Sequence, residues 1–106
     1  MKIPTNFLMS EYEFEQFLKH LYKEKSIPAE DLSAAIKEVE EKISSNEELG
    51  KKYTKQFNTG DLTGLSCIYL LNKISYENYR YEKLLNVLNH HLNKLPKTTT
   101  NVGVGS

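Results

Sequence analysis

The chain contains no tryptophan, one cysteine, three prolines and a single arginine, and its formal net charge is zero. Each scarcity closes a route. The lone Cys67 forbids an internal disulfide and a thiolate zinc site, fits a reducing compartment, and reads most simply as a small core residue. No apolar run approaches the roughly 20 residues that cross a bilayer. The opening MKIPTNFLMSEYEFEQ has neither the apolar stretch nor the small-residue cleavage site of a secretory leader. The expected location is therefore the cytoplasm, with no transmembrane segment. Nucleic acid is not an expected partner, because affinity for phosphates rests on a net basic stripe that this chain lacks.

What is present is helical periodicity. At 106 residues and 12.3 kDa the chain suffices for one domain with one core. Ser10 and Glu13 form a capping box, Met9 can staple on Phe14, and Phe14, Phe17, Leu18, Leu21 and Tyr22 recur on one helical face. Lys23, Glu24 and Lys25 close that helix. Ser26-Ile27-Pro28-Ala29-Glu30-Asp31 starts a second, with proline in the first turn and two acids at the positive end of the dipole. Its buried stripe is Leu32, Ala35, Ile36, Val39 and Ile43. Ser44 and Glu47 repeat the capping spacing, so a short third helix is expected from near Asn46, with Leu49, Tyr53 and Phe57 as its stripe and Asn58-Thr59-Gly60 as its stop.

Asp61 or Thr63 then caps Leu62, Leu65, Ile68, Tyr69, Leu70, Leu71 and Ile74. That segment is apolar around most of its circumference, which predicts the central, most buried helix. On a straight helix the later stripe, Tyr81, Leu84, Leu85, Leu88, Leu92 and Leu95, would be displaced from Leu62, Leu65 and Ile68 by over a third of a turn. A break at Ser75 to Asn78 follows. The expected architecture is an all-α, antiparallel four-helix bundle over residues 1–96, a short extra helix being possible. Lys97 to Ser106 are expected to form a flexible, disordered tail after Pro96.

Charge is uneven along this frame. Residues 11–48 carry eleven acids against five lysines, a net of −6, while residues 49–97 carry eight basic side chains against three acids, a net of +5. In an antiparallel bundle the two kinds of helix can sit side by side.

Catalytic chemistry finds little support, and no enzyme activity, metal or cofactor is expected. His90 and His91 are adjacent, so they point about 100° apart and cannot share one metal. Only a meeting of one of them with His20 across the bundle would make a site. Cys67 sits in the most apolar segment, where a thiolate is disfavoured. No Glu-x-x-His pair occurs, and the glycines are too scattered to cradle a phosphate. Recognition is better served. ISYENYRYEKLL, residues 74–85, places Tyr76, Tyr79 and Tyr81 beside Arg80, and tyrosine and arginine are enriched at contact hot spots. Tyr81 belongs to the buried stripe. Tyr76, Tyr79 and Arg80 form the candidate contact patch, unless they merely plug the bundle end.

The stretch YKEKSIPAEDLSAAIKEVEEKISSNEELGKKYTKQF, residues 22–57, resembles the immunity proteins that protect bacteria from their own small antilisterial-type bacteriocins. The likeness lies in a short charged turn, an Ile with nearby acids opening the second helix, and a lysine- and glutamate-rich helix running into a leucine-containing third. It covers about a third of the chain. The resemblance implies a cytoplasmic helical bundle that locks onto a sugar-transporter receptor once bacteriocin has engaged it, with the C-terminal half and tail choosing which bacteriocin is resisted. Here that directs attention to Tyr76 through Leu95 and the tail, adding His90, His91, Lys94 and Lys97 to the candidate contact residues. The Tyr-rich stretch and the uneven charge are departures from that family's pattern.

Two other roles fit the composition. An inhibitor of a nuclease toxin would offer the acidic face, with Glu38, Glu40 and Glu41, to a basic active site. A small phage or plasmid regulator would contact transcription or defence machinery.

Overall fold

The structure, a computed structural model, describes residues 3–5 and 8–95. Every regular element among them is a helix. α1 spans Glu11–Lys23, α2 Ala29–Asn58 and α3 Gly64–Asn93. The all-α expectation holds, but there are three helices among the described residues where four were expected. The expected tail, Lys97 to Ser106, lies outside the described residues.

Helix ends follow local chemistry. Ser10 accepts from the Glu13 amide at 3.1 Å while the Glu13 carboxylate accepts from the Ser10 amide at 2.9 Å, so the reciprocal cap of α1 forms. Thr63, rather than Asp61, caps α3 by accepting from the Ser66 amide at 3.1 Å. Gly60, with φ of +85°, makes the left-handed turn between α2 and α3.

The predicted third helix is the second half of α2. Ser44, Ser45 and Asn46 contain neither proline nor a left-handed residue, so nothing forces a stop. The Asn46 amide does not cap; it donates to Asn78 Oδ1 at 2.9 Å and Glu77 Oε1 at 3.3 Å on α3. Nor does α3 break at Ser75. The displacement between its two apolar stripes is real, but the premise that both face one core is not met. Leu65 is 84% exposed, Ile68 58% and Tyr69 67%, while Cys67 and Ile74 are the buried residues of that half. The segment expected to be central and most buried is thus exposed along one side. Where α1 joins α3, its buried face swings by roughly a quarter turn to Leu84, Leu88 and His91.

α2 and α3 form a long antiparallel hairpin, and 30 residues make each about 45 Å in length. α1, with 13 residues, can lie along less than half of it. The core sits in that half: Phe14, Leu18 and Leu21 of α1, Leu32, Ala35 and Val39 of α2, Leu84 and Leu88 of α3, closed by Ile3 and Ile27. Thr5, ahead of α1, is fastened too. The Thr5 hydroxyl donates to Glu38, and Lys42 Nζ donates to the Thr5 carbonyl at 3.1 Å. The molecule measures 57 × 34 × 16 Å, an elongated body with a core at one end.

Candidate functional site

Arg80 organises the middle of α3. It is 6% exposed, so it is not the surface contact expected of it. Nη1 donates to the Met9 carbonyl at 2.9 Å, while Nη2 and Nε donate to the Tyr76 hydroxyl at 2.8 and 3.2 Å. The guanidinium lies over the rings of Phe14 and Tyr76, 4.9 and 4.8 Å from their centroids. The Tyr76 hydroxyl donates in turn to Glu11 Oε1 at 2.5 Å. This hydrogen bond, with the Arg80 charge, holds the Glu11 carboxyl below its ordinary value of 4.5. Arg80 with Tyr76 therefore locks the start of α1 onto α3. Arg80 thus serves the fold, and what it fastens is the middle of the hairpin rather than a bundle end.

The rings around Arg80 remain at the surface. Tyr76 and Tyr79 are each 47% exposed and stacked, with centroids 6.4 Å apart. Lys83 Nζ lies 4.9 Å from the Tyr79 centroid and donates to Glu15 Oε2 at 2.9 Å. Hydrogen bonding to Tyr79 and then to Glu15 raises the Lys83 pKa, so it stays charged at neutral pH. Tyr81 is half-buried, and burial pushes its phenol up.

The other sequence candidates separate. His91 is buried and donates from Nε2 to the Leu21 carbonyl at 2.6 Å, tying the ends of α1 and α3 together rather than facing a partner. His90 stacks on Tyr22 with centroids 4.4 Å apart. His20 meets neither; its Nδ1 is hydrogen-bonded to the Gln16 carbonyl at 2.9 Å. Among the described residues, no three potential ligands gather as a metal site. Lys94 is exposed and borders, with Lys25 and Ser26, a cavity of about 230 Å³ at the closed end of the molecule. Lys97 lies outside the described residues. Of the acidic candidates, Glu38 is engaged by Thr5 and Lys42, while Glu40 and Glu41 are exposed. Glu40, Glu47 and Glu82 line a groove of about 420 Å³ between α2 and α3. Cys67 is buried, its thiol directed to the Tyr53 carbonyl at 3.9 Å.

Sequence reasoning missed an exposed apolar row. Leu65, Ile68 and Tyr69 continue the Tyr76 and Tyr79 surface along the outside of α3. Their three- and four-residue spacing was visible, but it reads equally as a buried stripe when the length of the covering helix is ignored.

The class that emerges is a small all-α protein whose described residues form three helices: a long helical hairpin braced over one half by a short helix. No known family matches the chain, and no curated protein or solved structure was found to be similar to it. Among the described residues, no helix is long and apolar enough to cross a membrane.

Proposed function

We propose that this chain is a non-enzymatic protein-binding protein of the cytoplasm, and that it serves as an immunity protein protecting its producer from a bacteriocin by holding the receptor or toxin complex. The observation that carries the binding reading is the stacked, half-exposed pair Tyr76 and Tyr79, held in place by the buried Arg80. Aromatic rings fixed in advance lose little entropy on contact, which favours them as anchors for another protein. The bacteriocin reading adds to this the resemblance of residues 22–57. The contact surface would run from Tyr76 and Tyr79 past Lys83 to His90 and Lys94. Expression in a bacteriocin-sensitive strain tests it: survival should rise, and Tyr79→Ala with intact helicity should reduce it. Equal sensitivity with and without the chain would remove this reading.

The groove lined by Glu40, Glu47 and Glu82 supports a second reading, an inhibitor that presents carboxylates to a basic nuclease. That complex would weaken steeply with salt and on reversing Glu40 and Glu41.

A further inference from the structure

On α3 the positions 65, 68, 69, 72, 76 and 79 fall within about 100° of one another, opposite the Cys67 and Ile74 side that meets α2. They carry Leu65, Ile68, Tyr69, Asn72, Tyr76 and Tyr79, and all are exposed. The row covers 15 residues, or about 21 Å of helix. It bears no charge. The nearest charges on this length of α3, Lys73 and Glu77, lie a quarter to a third of a turn away. α1 does not cover the row, because it begins beside Tyr76 and runs on toward His91.

Five of the six positions are symmetric about Asn72; Tyr69 falls opposite Ser75. In an antiparallel pairing of two identical rows, Leu65 lies opposite Tyr79, Ile68 opposite Tyr76, and Asn72 opposite itself. An isologous interface demands this kind of self-complementarity. Apolar residues fall against apolar or aromatic ones, and two amides meet at the axis, where each can donate to and accept from the other. A single asparagine inside an apolar helix seam is a known means of setting register and partner number. An uncharged row also avoids the like-charge repulsion that identical surfaces otherwise incur.

From this we infer that the outer face of α3 is a homodimer seam: two copies pair antiparallel through residues 65–79, with Asn72 on the two-fold axis. The area is on the order of a few hundred Å² per copy, comparable to the largest apolar patch of an ordinary monomer. It is below the roughly 800 Å² per partner of standard interfaces, so association should be reversible, with a micromolar dissociation constant. The pairing covers Tyr76 and Tyr79, which a partner protein would then reach only in the single chain.

The purified full chain tests this without any partner, so the result is independent of the bacteriocin reading. Sedimentation from micromolar to submillimolar concentration should show 12.3 kDa chains converting to a species of twice that mass. Tyr69→Lys and Leu65→Lys should each weaken the association at least tenfold with unchanged circular dichroism, because both side chains are exposed. Mild oxidation should cross-link Asn72→Cys to itself, and Leu65→Cys to Tyr79→Cys in a mixture, but not Leu65→Cys to itself. Lys55→Cys, on α2, supplies the collisional background. A single 12.3 kDa species at every concentration would overturn the seam. Cross-linking of Asn72→Cys no faster than that of Lys55→Cys would overturn it too, and Leu65→Cys self-linking would overturn the antiparallel register.

Discussion

Arg80 has the chemistry of a binding residue and the surroundings of a structural one. Three of its hydrogen bonds and two ring contacts lie inside the fold, around a side chain only 6% exposed. Removing it would leave the Met9 carbonyl and Tyr76 hydroxyl without their donor. Arg80→Ala is expected to cost about 2–4 kcal/mol in urea denaturation, and Arg80→Lys less, because an ammonium keeps the charge but not the planar fork. Neighbouring carboxyls set an acid limit. Tyr76 and Arg80 lower the pKa of Glu11, and the amide and hydroxyl of Ser10 lower that of Glu13. A group whose pKa is depressed in the folded state adds stability above its ordinary value, here 4.5, and loses it as pH falls through the lower folded value. The melting temperature should therefore drop below about pH 4.5. Glu11→Gln, facing Tyr76, Arg80 and Lys83, should melt lower at neutral pH and show a shallower drop.

At the scale of elements, the ends were legible and the interiors less so. Ser10 with Glu13 and Asn58-Thr59-Gly60 act through neighbours within three residues, so spacing alone identified them, and it narrowed the α3 cap to Asp61 or Thr63, of which Thr63 caps. Thr63→Ala should cost roughly 1 kcal/mol of unfolding free energy by loss of the α3 cap. The proposed starts at Asn46 and Ser75 failed because a capping pattern inside a stable helix competes with intrahelical hydrogen bonds and with a neighbour. Asn46 instead reaches Asn78 and Glu77. Gly50 also lies inside α2, and a Cβ there would meet Leu71 Cδ2 at 3.7 Å, an ordinary contact. Gly50→Ala should raise the unfolding free energy by about 0.5–1 kcal/mol, since the helical backbone is kept and the unfolded chain loses freedom.

Across the whole molecule, core and surface are divided along the hairpin rather than between inside and outside. Phe14, Leu32, Val39, Leu84 and Leu88 are fully buried in the half that α1 braces. Leu88→Ala should destabilise by about 2–5 kcal/mol through a cavity in the region where, among the described residues, three helices meet. Among the described residues, the far half rests on contacts between α2 and α3. Amide exchange should be faster in residues 46–58 and 64–73 than in 32–43 and 80–91, and reversal of that order would show that the open half is not the less stable one. The proposed α3 seam lies mainly along this open half, so dimer formation should slow exchange there first.

Periodicity, caps and the Gly60 turn were enough to determine that this protein is helical and where most of its helices begin and end, because those signals act between residues a few positions apart. Which apolar face is covered, whether α2 and α3 run unbroken, and that Arg80 and His91 serve the interior were decided only by tertiary packing. A 13-residue brace set against a 30-residue hairpin leaves one half unroofed. No local pattern records how far a neighbouring helix will reach.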